Sequence, residues 1–405
     1  MTMIWSRVNQ ICQPASNPVN CRVLADGNIV TTATIKSDTP RARDLGLDFA
    51  GTPGRHNALT DVPGVLVGYS TIVEGDGPLV VGEGPVRTGV TAILPRGHDP
   101  RPKPVFAGSD ALNGNGEMTG THWIRDGGYF LGPVCITNTH SVGIAHHASV
   151  GWMLDTYRED FHQHHLWAMP VVAETYDGTM NDINGRHVTE QHVRAALDSA
   201  AGGAIAEGNV GGGTGMMCYE FKGGTGTASR RVDIDGESYT VAALVQANYG
   251  IRPWLTILGV PVGKYLTEDR IREERELGSI IVVIATDAPM LPHQLQRVAR
   301  RGALGIGRCG SPGGNSSGDI FLAFSVANEK PLALHNKAHL TAQYINDNYF
   351  DGLYVGAVDS VEEAIINAMI AAQDTPTIKK PADRICRAIP HQQLVDIMRR
   401  HGRCA

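Results

Sequence analysis

The sequence has no run of ~18 consecutive apolar residues, the length that a membrane-spanning helix needs, and it therefore predicts no membrane partner. The first 40 residues also lack the basic start and apolar core of a secretory signal. The seven cysteines are scattered, odd in number and without a CxxC pair, which argues against a disulfide framework or a zinc site. These absences favour a reducing compartment, and we expect a cytoplasmic protein.

Charge is also scarce. Charged residues make up 19% of the chain and the formal net charge is −6 at pH 7, so nothing in the composition points to nucleic acid as a partner. Glycine, in contrast, is abundant, with 48 residues among 405. This length and composition predict a compact, loop-rich enzyme-like body rather than a disordered or fibrous chain.

The most informative stretch begins at Gly278-Ser279. An apolar, β-branched run follows this dipeptide and ends at residues 287–289, which predicts a buried strand with a serine at its mouth. The segment before it, residues 265–276, is densely charged. One interpretation is that Gly278 ends a charged helix. The other is that Ser279 attacks the Gly278 carbonyl, and that hydrolysis of the resulting ester leaves an N-terminal serine whose own α-amine can act as its base.

Polar side chains follow other predicted strands. In TNTHSVG, residues 137–143, they either line a site or cap a helix, and the sequence alone favours neither. In AETYDG, residues 173–178, Glu174 could bind a cationic group and Tyr176 could donate a hydrogen bond, although a polar turn closing a strand is an alternative. Asn248 places an amide at the end of a further predicted strand.

Two other patterns invite a cofactor interpretation that their details do not support. The glycine-rich residues 208–215 and 223–227 lack the GxxxxGK[ST] pattern and the GxGxxG pattern in a βαβ unit, so they predict close backbone packing. Five histidines lack a paired carboxylate at metal-ligand spacing, and we expect them at the surface or in packing contacts: His146, His147, His162, His164 and His165. We therefore expect no metal and no other cofactor.

Helical patterns accompany the predicted strands. The sequence predicts helices over residues 144–155, 189–201 and 291–302. Near the end of the chain, residues 360–363 resemble a capping box that opens an amphipathic helix running to about Gln373.

The ordered motifs together resemble one family. GSIIVVIATDAP at 278–289, NGNGEMTG at 113–120, QANYG at 246–250 and NSSGDIFLAFS at 315–325, with the motifs above, resemble the DmpA-type aminopeptidases, a group of L-aminopeptidase/D-amidase/D-esterases and β-peptidyl aminopeptidases. The resemblance spans residues 41–373 and favours the cleavage interpretation of Gly278-Ser279. It implies a self-processing N-terminal-nucleophile-type hydrolase of the α+β class, with a four-layer αββα sandwich like that of ornithine acetyltransferases.

The resemblance also implies how the chain is divided. Residues 41–278 would form the α-chain and residues 279–405 the β-chain of one catalytic domain after autocleavage between Gly278 and Ser279. Residues 1–40 have no counterpart in the family, and we expect them to form a loosely ordered N-terminal extension.

The nucleophile and its partners carry over from the family motifs. Ser279 would be the nucleophile, and Ser317 and Asp319 would hydrogen-bond to it and to its amine. Some relatives have glutamate where this chain has Asp319, a difference that changes the reach of the carboxylate.

The remaining family residues act on the substrate. Asn248 and Tyr176 would polarise its carbonyl, and Glu174 would hold its free ammonium group. Such an enzyme releases N-terminal amino acids from short peptides, amides and esters through an acyl-enzyme.

Several alternatives remain open at this point. An acyltransferase or an endo-amidase of the same fold group is one class, although the resemblance associates threonine nucleophiles with both. A binding module that keeps the fold without the chemistry is another. The resemblance further implies a homo-oligomer, a tetramer of αβ units, and it leaves open whether α-L, α-D or β-amino acids are preferred.

Overall fold

The computed structural model describes residues 39–272, 276–329, 338–379 and 382–404, together with the backbone of two short strands before them. Those strands, β1 (Asn20–Val23) and β2 (Ile29–Thr32), pair in antiparallel fashion within a unit that ends at Asp38. The expectation of a loosely ordered extension over residues 1–40 otherwise lies outside the described residues.

Two large sheets and several short ladders account for the remaining strands. They are β3 (Leu66–Glu74), β4 (Val86–Leu94), β5 (Val105–Gly114), β6 (Tyr129–Phe130), β7 (Val134–Asn138), β8 (Val171–Thr175), β9 (Met217–Cys218), β10 (Phe221–Lys222), β11 (Gly224–Ile234), β12 (Glu237–Asn248), β13 (Ser279–Thr286), β14 (Gly318–Ser325), β15 (Thr375–Pro376) and β16 (Ile385–Cys386). The larger sheet has the order β11-β12-β13-β14-β5-β6, and the smaller sheet has the order β3-β4-β7-β8.

The α-helices of the described residues differ widely in length. They are α1 (Thr121–Gly127), α2 (Val142–Thr156), α3 (Arg158–Gln163), α4 (Glu190–Asp198), α5 (Pro292–Ala299), α6 (Arg301–Arg308), α7 (Asp351–Ile370) and α8 (His391–Arg400). Among them, none has the length and apolar character that crossing a membrane requires.

Strand β13 lies at the centre of the larger sheet and is buried on both faces. Its side chains alternate between two separate cores, as the two-residue period of a strand requires. Ile280 and Val282 pack into the core on the outer face, whereas Ile281 and Val283 pack into the core between the two sheets. The predicted buried strand is therefore confirmed.

Helices cover the outer face of each sheet. The core outside the smaller sheet contains side chains of α2 and α4, and the core outside the larger sheet contains side chains of α5, α6, α7 and α8. The order of layers is helices, smaller sheet, larger sheet, helices. This is the predicted four-layer αββα sandwich of the α+β class.

The last long helix differs from its prediction. Helix α7 begins at Asp351, so that Ser360 lies in its middle and cannot cap it. The Ser360 hydroxyl donates to the Val241 carbonyl (3.2 Å), and the buried Glu363 carboxylate forms ion pairs with Arg43 and Arg230. Ser360 and Glu363 have the spacing of a capping box, but both side chains make tertiary contacts instead of capping a helix.

A second difference concerns the helix predicted over residues 291–302. Two helices occupy this region, because α5 ends at Ala299 and α6 begins at Arg301. The prediction also stopped short of the chain's helical residues, which continue to Arg308.

Glycines permit the close approach of α7 to the larger sheet. A Cβ on Gly226 in β11 would lie 2.0 Å from the Ala364 carbonyl oxygen of α7 and 2.7 Å from the Ala368 nitrogen. No carbon atom can occupy that space without displacing backbone. The interpretation of the glycine-rich runs as close packing is confirmed at this contact.

We expect Gly226→Ala to lower the free energy of unfolding by ~1–3 kcal/mol or more, because the added methyl group forces α7 away from the larger sheet. Equilibrium unfolding in denaturant measures the change. Gly114→Ala is the matched strand control, since a Cβ there meets nothing within 4 Å and its backbone is not in the left-handed region. An equal midpoint for the two variants would contradict the expectation.

Candidate active site

Ser279 is the first residue of β13, and it is only 5% exposed. The described residues before it, 265–272 and 276–278, contain no α-helix, so the interpretation of Gly278 as the end of a charged helix is wrong. A Cβ on Gly278 would lie 2.0 Å from the Asn248 carbonyl oxygen. Glycine is therefore required here for lack of space.

The strand register places one residue of the quoted motifs on each side of Ser279. In β12, Asn248 is its antiparallel partner, and in β14, Gly318 is its parallel partner. The Gly318 N–H also donates to the Gly278 carbonyl oxygen (3.3 Å). The serine thus lies between the strand-end amide and the Ser-Gly-Asp motif.

Two hydrogen bonds set the orientation of the Asn248 side-chain amide. Its Oδ1 accepts from the Met217 N–H (2.8 Å), and its Nδ2 donates to the Tyr176 carbonyl oxygen (3.0 Å). An amide nitrogen carries two hydrogens. The second is therefore available to a substrate oxygen as far as the contacts of the described residues show.

Ser317 and Asp319 form a buried pair next to Gly318. The Ser317 hydroxyl donates to Asp319 Oδ1 (2.7 Å), and Asn113 Nδ2 lies 3.4 Å from Asp319 Oδ2. Burial raises the pKa of the Asp319 carboxyl, and the hydrogen bonds from Ser317 and Asn113 oppose that rise. The pair is held in place by its own contacts before any substrate binds.

Glu174 belongs to the other sheet. It lies in β8, is 4% exposed, and accepts hydrogen bonds from the Glu117 N–H (2.9 Å) and from the Thr139 hydroxyl. Burial raises the pKa of the Glu174 carboxyl, and these two hydrogen bonds partly offset the effect. A buried carboxylate with two donors can still form an ion pair with a cationic substrate group.

Both sheets therefore contribute to the site, Glu174 from the smaller sheet and Asn248 and Ser279 from the larger one. The loop after β5 joins the two contributions. A Cβ on Gly116 would lie 3.1 Å from Glu174 Oε1 and 3.7 Å from the Gly318 Cα, so the loop backbone passes between the carboxylate and the Ser-Gly-Asp motif.

Tyr176 follows β8 and is 36% exposed. Its hydroxyl accepts a hydrogen bond from Lys379 Nζ (3.2 Å), which leaves the phenol hydrogen to point elsewhere. Sequence reasoning did not identify Lys379, because it comes from a distant part of the chain and no local motif surrounds it. It also missed the role of Thr139, although TNTHSVG had been recognised as a polar strand end.

Comparisons with known proteins point to one family. The model of peptidase family S58 matches residues 57–382. The β-peptidyl aminopeptidase BapA of Sphingosinicella microcystinivorans is 50% identical over 383 residues, which cover 91% of this chain and 94% of that protein.

Solved structures show the same architecture. The L-aminopeptidase D-Ala-esterase/amidase of Ochrobactrum anthropi, described as a new variant among the Ntn hydrolase fold, matches with a TM-score of 0.86 and 56% identity, covering 90% of this chain and all of that one. A β-aminopeptidase of Burkholderia sp. matches with a TM-score of 0.80 and 45% identity, covering 90% of this chain and 99% of that one. The chain therefore belongs to peptidase family S58.

Proposed function

We propose that the protein is a self-processing serine aminopeptidase whose nucleophile is Ser279. The observation that carries the proposal is the register of three strands, which places Ser279 between Asn248 and Gly318 behind a glycine that has no room for a side chain. Membership of family S58 and the activities named for its relatives support the same reaction class.

The first step is cleavage of the chain. The Ser279 hydroxyl oxygen attacks the Gly278 carbonyl carbon, the C–N bond breaks as the hydroxyl proton passes to the Ser279 nitrogen, and the acyl group is left on the oxygen as an ester. The Gly318 N–H, which donates to the Gly278 carbonyl oxygen, would stabilise the negative charge that develops there. Water then hydrolyses the ester, and the products are a C-terminal carboxylate at Gly278 and an α-amine at Ser279.

The second step is hydrolysis of a substrate. The new α-amine takes the proton of the Ser279 hydroxyl while the hydroxyl oxygen attacks the carbonyl carbon of the substrate. The remaining N–H of Asn248 and the Tyr176 hydroxyl would donate to the oxyanion, and Ser317 and Asp319 would hold the amine and the nucleophile. The leaving amine takes up the proton, and water releases the acyl group.

Glu174 would select substrates with a free amine. Its carboxylate already has donors from Glu117 and Thr139 and can add the ion pair with a substrate ammonium group. We propose short peptides, amides and esters with a free N-terminal amine as substrates. Because named relatives include β-peptidyl aminopeptidases, β-amino acids belong in the substrate panel beside α-L and α-D residues.

Assembly and location stay predictions. The exposed apolar side chains of Leu304 and Val355, on α6 and α7, are consistent with the expected homo-oligomer of αβ units, for which a tetramer is the prediction. A cytoplasmic location also stays a prediction.

We expect Ser279→Ala to abolish both chain cleavage and hydrolysis of amino-acyl p-nitroanilides, because it removes the one oxygen that both steps use. Intact mass under denaturing conditions measures the first, and absorbance measures the second. Ser316→Ala, which changes a neighbouring serine outside the Ser-Gly-Asp spacing, should leave both in place. Full hydrolytic activity in a wild-type chain that is not cleaved between Gly278 and Ser279 would contradict the proposal.

We expect Glu174→Gln to lower kcat/KM for a free-amine substrate by ~30-fold or more, because the ammonium group loses its charged partner. In the wild type, kcat/KM should fall as the pH drops through the raised pKa of Glu174, since only the ionised carboxylate binds the cation. The Gln variant should lose this contribution to the acidic limb and keep the one that protonation of the Ser279 α-amine adds. The pH profile of hydrolysis measures both effects.

Glu117→Gln is the control for that series. The Glu117 side chain is exposed, and the substitution keeps the backbone N–H that donates to Glu174, so the rate at neutral pH should stay at the wild-type level. Because the Glu117 charge raises the pKa of Glu174, the acidic limb of this control should move to lower pH without being lost. A Glu174→Gln profile that matches the wild type in rate and shape would remove Glu174 from substrate binding.

A further inference from the structure

Glu276 is a buried carboxylate that neither proposed step uses. It lies two residues before the Gly278–Ser279 bond and is 8% exposed. The charged segment upstream of it behaves differently, since Glu268 and Asp269 are exposed. Burying a carboxylate costs free energy unless its contacts compensate, so its environment is informative.

The Glu276 carboxylate touches the loops on both sides of the nucleophile. Its Oε1 accepts a hydrogen bond from the Gly250 N–H (2.7 Å), and Gly250 follows Asn248 by two residues. Its Oε2 faces the backbone of Gly314, where an added Cβ would lie 1.8 Å away.

The Gly314 loop leads directly into the Ser-Gly-Asp motif. The Gly314 carbonyl accepts hydrogen bonds from the Ser317 N–H (2.9 Å) and from Asn113 Nδ2 (3.0 Å), and the same Asn113 amide lies beside Asp319. Glu276 therefore connects the end of the predicted α-chain to the loops that carry Asn248 on one side and Ser317 on the other.

Charge in this region adds to the cost of burial. Burial raises the pKa of Glu276, the Gly250 hydrogen bond opposes that rise, and the nearby negative charge of Asp319 increases it. Arg272 lies close enough to lower the pKa in return. An apolar side chain would avoid these costs, and the hydrogen bond from the Gly250 N–H to Oε1 is the contact that offsets them here.

Few contacts hold the residues that precede the Gly278–Ser279 bond. Residues 276–278 are in neither helix nor strand, and the ladder of β13 begins only at Ser279. Among the described residues, this segment is located by the contacts of the Glu276 carboxylate, by the bond from the Gly318 N–H to the Gly278 carbonyl, and by the packing of Gly278 against the Asn248 backbone. Intramolecular attack needs the carbonyl carbon and the hydroxyl oxygen held in line.

We propose that Glu276 is a positioning residue for cleavage of the Gly278–Ser279 bond, acting through its acceptor contact with Gly250 and its fit against Gly314. The proposal rests on the self-processing function proposed above. We expect its effect to fall on the splitting of the chain rather than on the later hydrolysis, because its hydrogen bond and its packing join Glu276 to the backbone of Gly250 and Gly314 and to no side chain assigned to hydrolysis.

The test follows splitting and hydrolysis separately in Glu276→Ala, Glu276→Gln and the wild type. Freshly synthesised full-length chains are sampled over time by intact mass, and hydrolysis of an amino-acyl p-nitroanilide is normalised to the amount of split chain. The loss of the acceptor in Glu276→Ala should slow splitting by ~tenfold or more, whereas the Gln carbonyl still accepts from Gly250 and should keep the rate within ~3-fold of wild type.

Two further readouts complete the design. Glu268→Gln, which changes an exposed carboxylate of the same segment, should split at the wild-type rate. Once split, every variant should hydrolyse substrate within ~2-fold of wild type per molecule. Thermal unfolding of the isosteric Gln variant shows that it is folded at the assay temperature.

Three results would overturn the proposal. They are splitting of Glu276→Ala at the wild-type rate, splitting of Glu276→Gln as slow as that of Glu276→Ala, and a loss of hydrolysis per split molecule that parallels the loss of splitting. A wild-type chain that never splits would instead overturn the proposed self-processing itself. The two failures are therefore distinguishable.

Discussion

The hydrogen-bonded register of β12, β13 and β14 is the constraint on which the rest of the site depends. Because these strands pair without interruption at this end, Asn248, Ser279 and Gly318 lie side by side at one level of the larger sheet. A slip of one residue would turn Ser279 toward the outer helices and bring Ile280 into its place. The alternating burial of β13 against two different cores makes such a slip costly.

The second constraint is the packing of one sheet on the other. Gln246, two residues before Asn248, donates to the Thr137 carbonyl (3.0 Å) and to the Thr175 hydroxyl (2.7 Å) of the smaller sheet. These buried polar contacts align the sheets where Glu174 enters the site. The spacing of the two sheets, which side chains in the core determine, would therefore set the distance between the ammonium group held by Glu174 and the carbonyl attacked by Ser279.

Local patterns predicted much of this molecule and misjudged it in particular places. The apolar, β-branched run after Ser279 is typical of a buried strand, and this strand was predicted correctly. Residues 360–363 offered a good capping pattern, yet Glu363 instead pairs with Arg43 and Arg230 inside a helix that starts earlier. Arg43 and Arg230 lie so far from Glu363 in the chain that the local pattern around Ser360 gives no sign of them.

By itself, the sequence determined the buried strand of Ser279, the glycine before it, the polar strand ends and, through the order of its motifs, the family and its layered fold. Only the tertiary structure decided that Glu174 comes from the second sheet, that Lys379 reaches Tyr176, and that Glu276 is buried between Gly250 and Gly314. The physical reason is range. Strand period and turn chemistry act between near neighbours, whereas these contacts form when segments far apart in the chain are packed together.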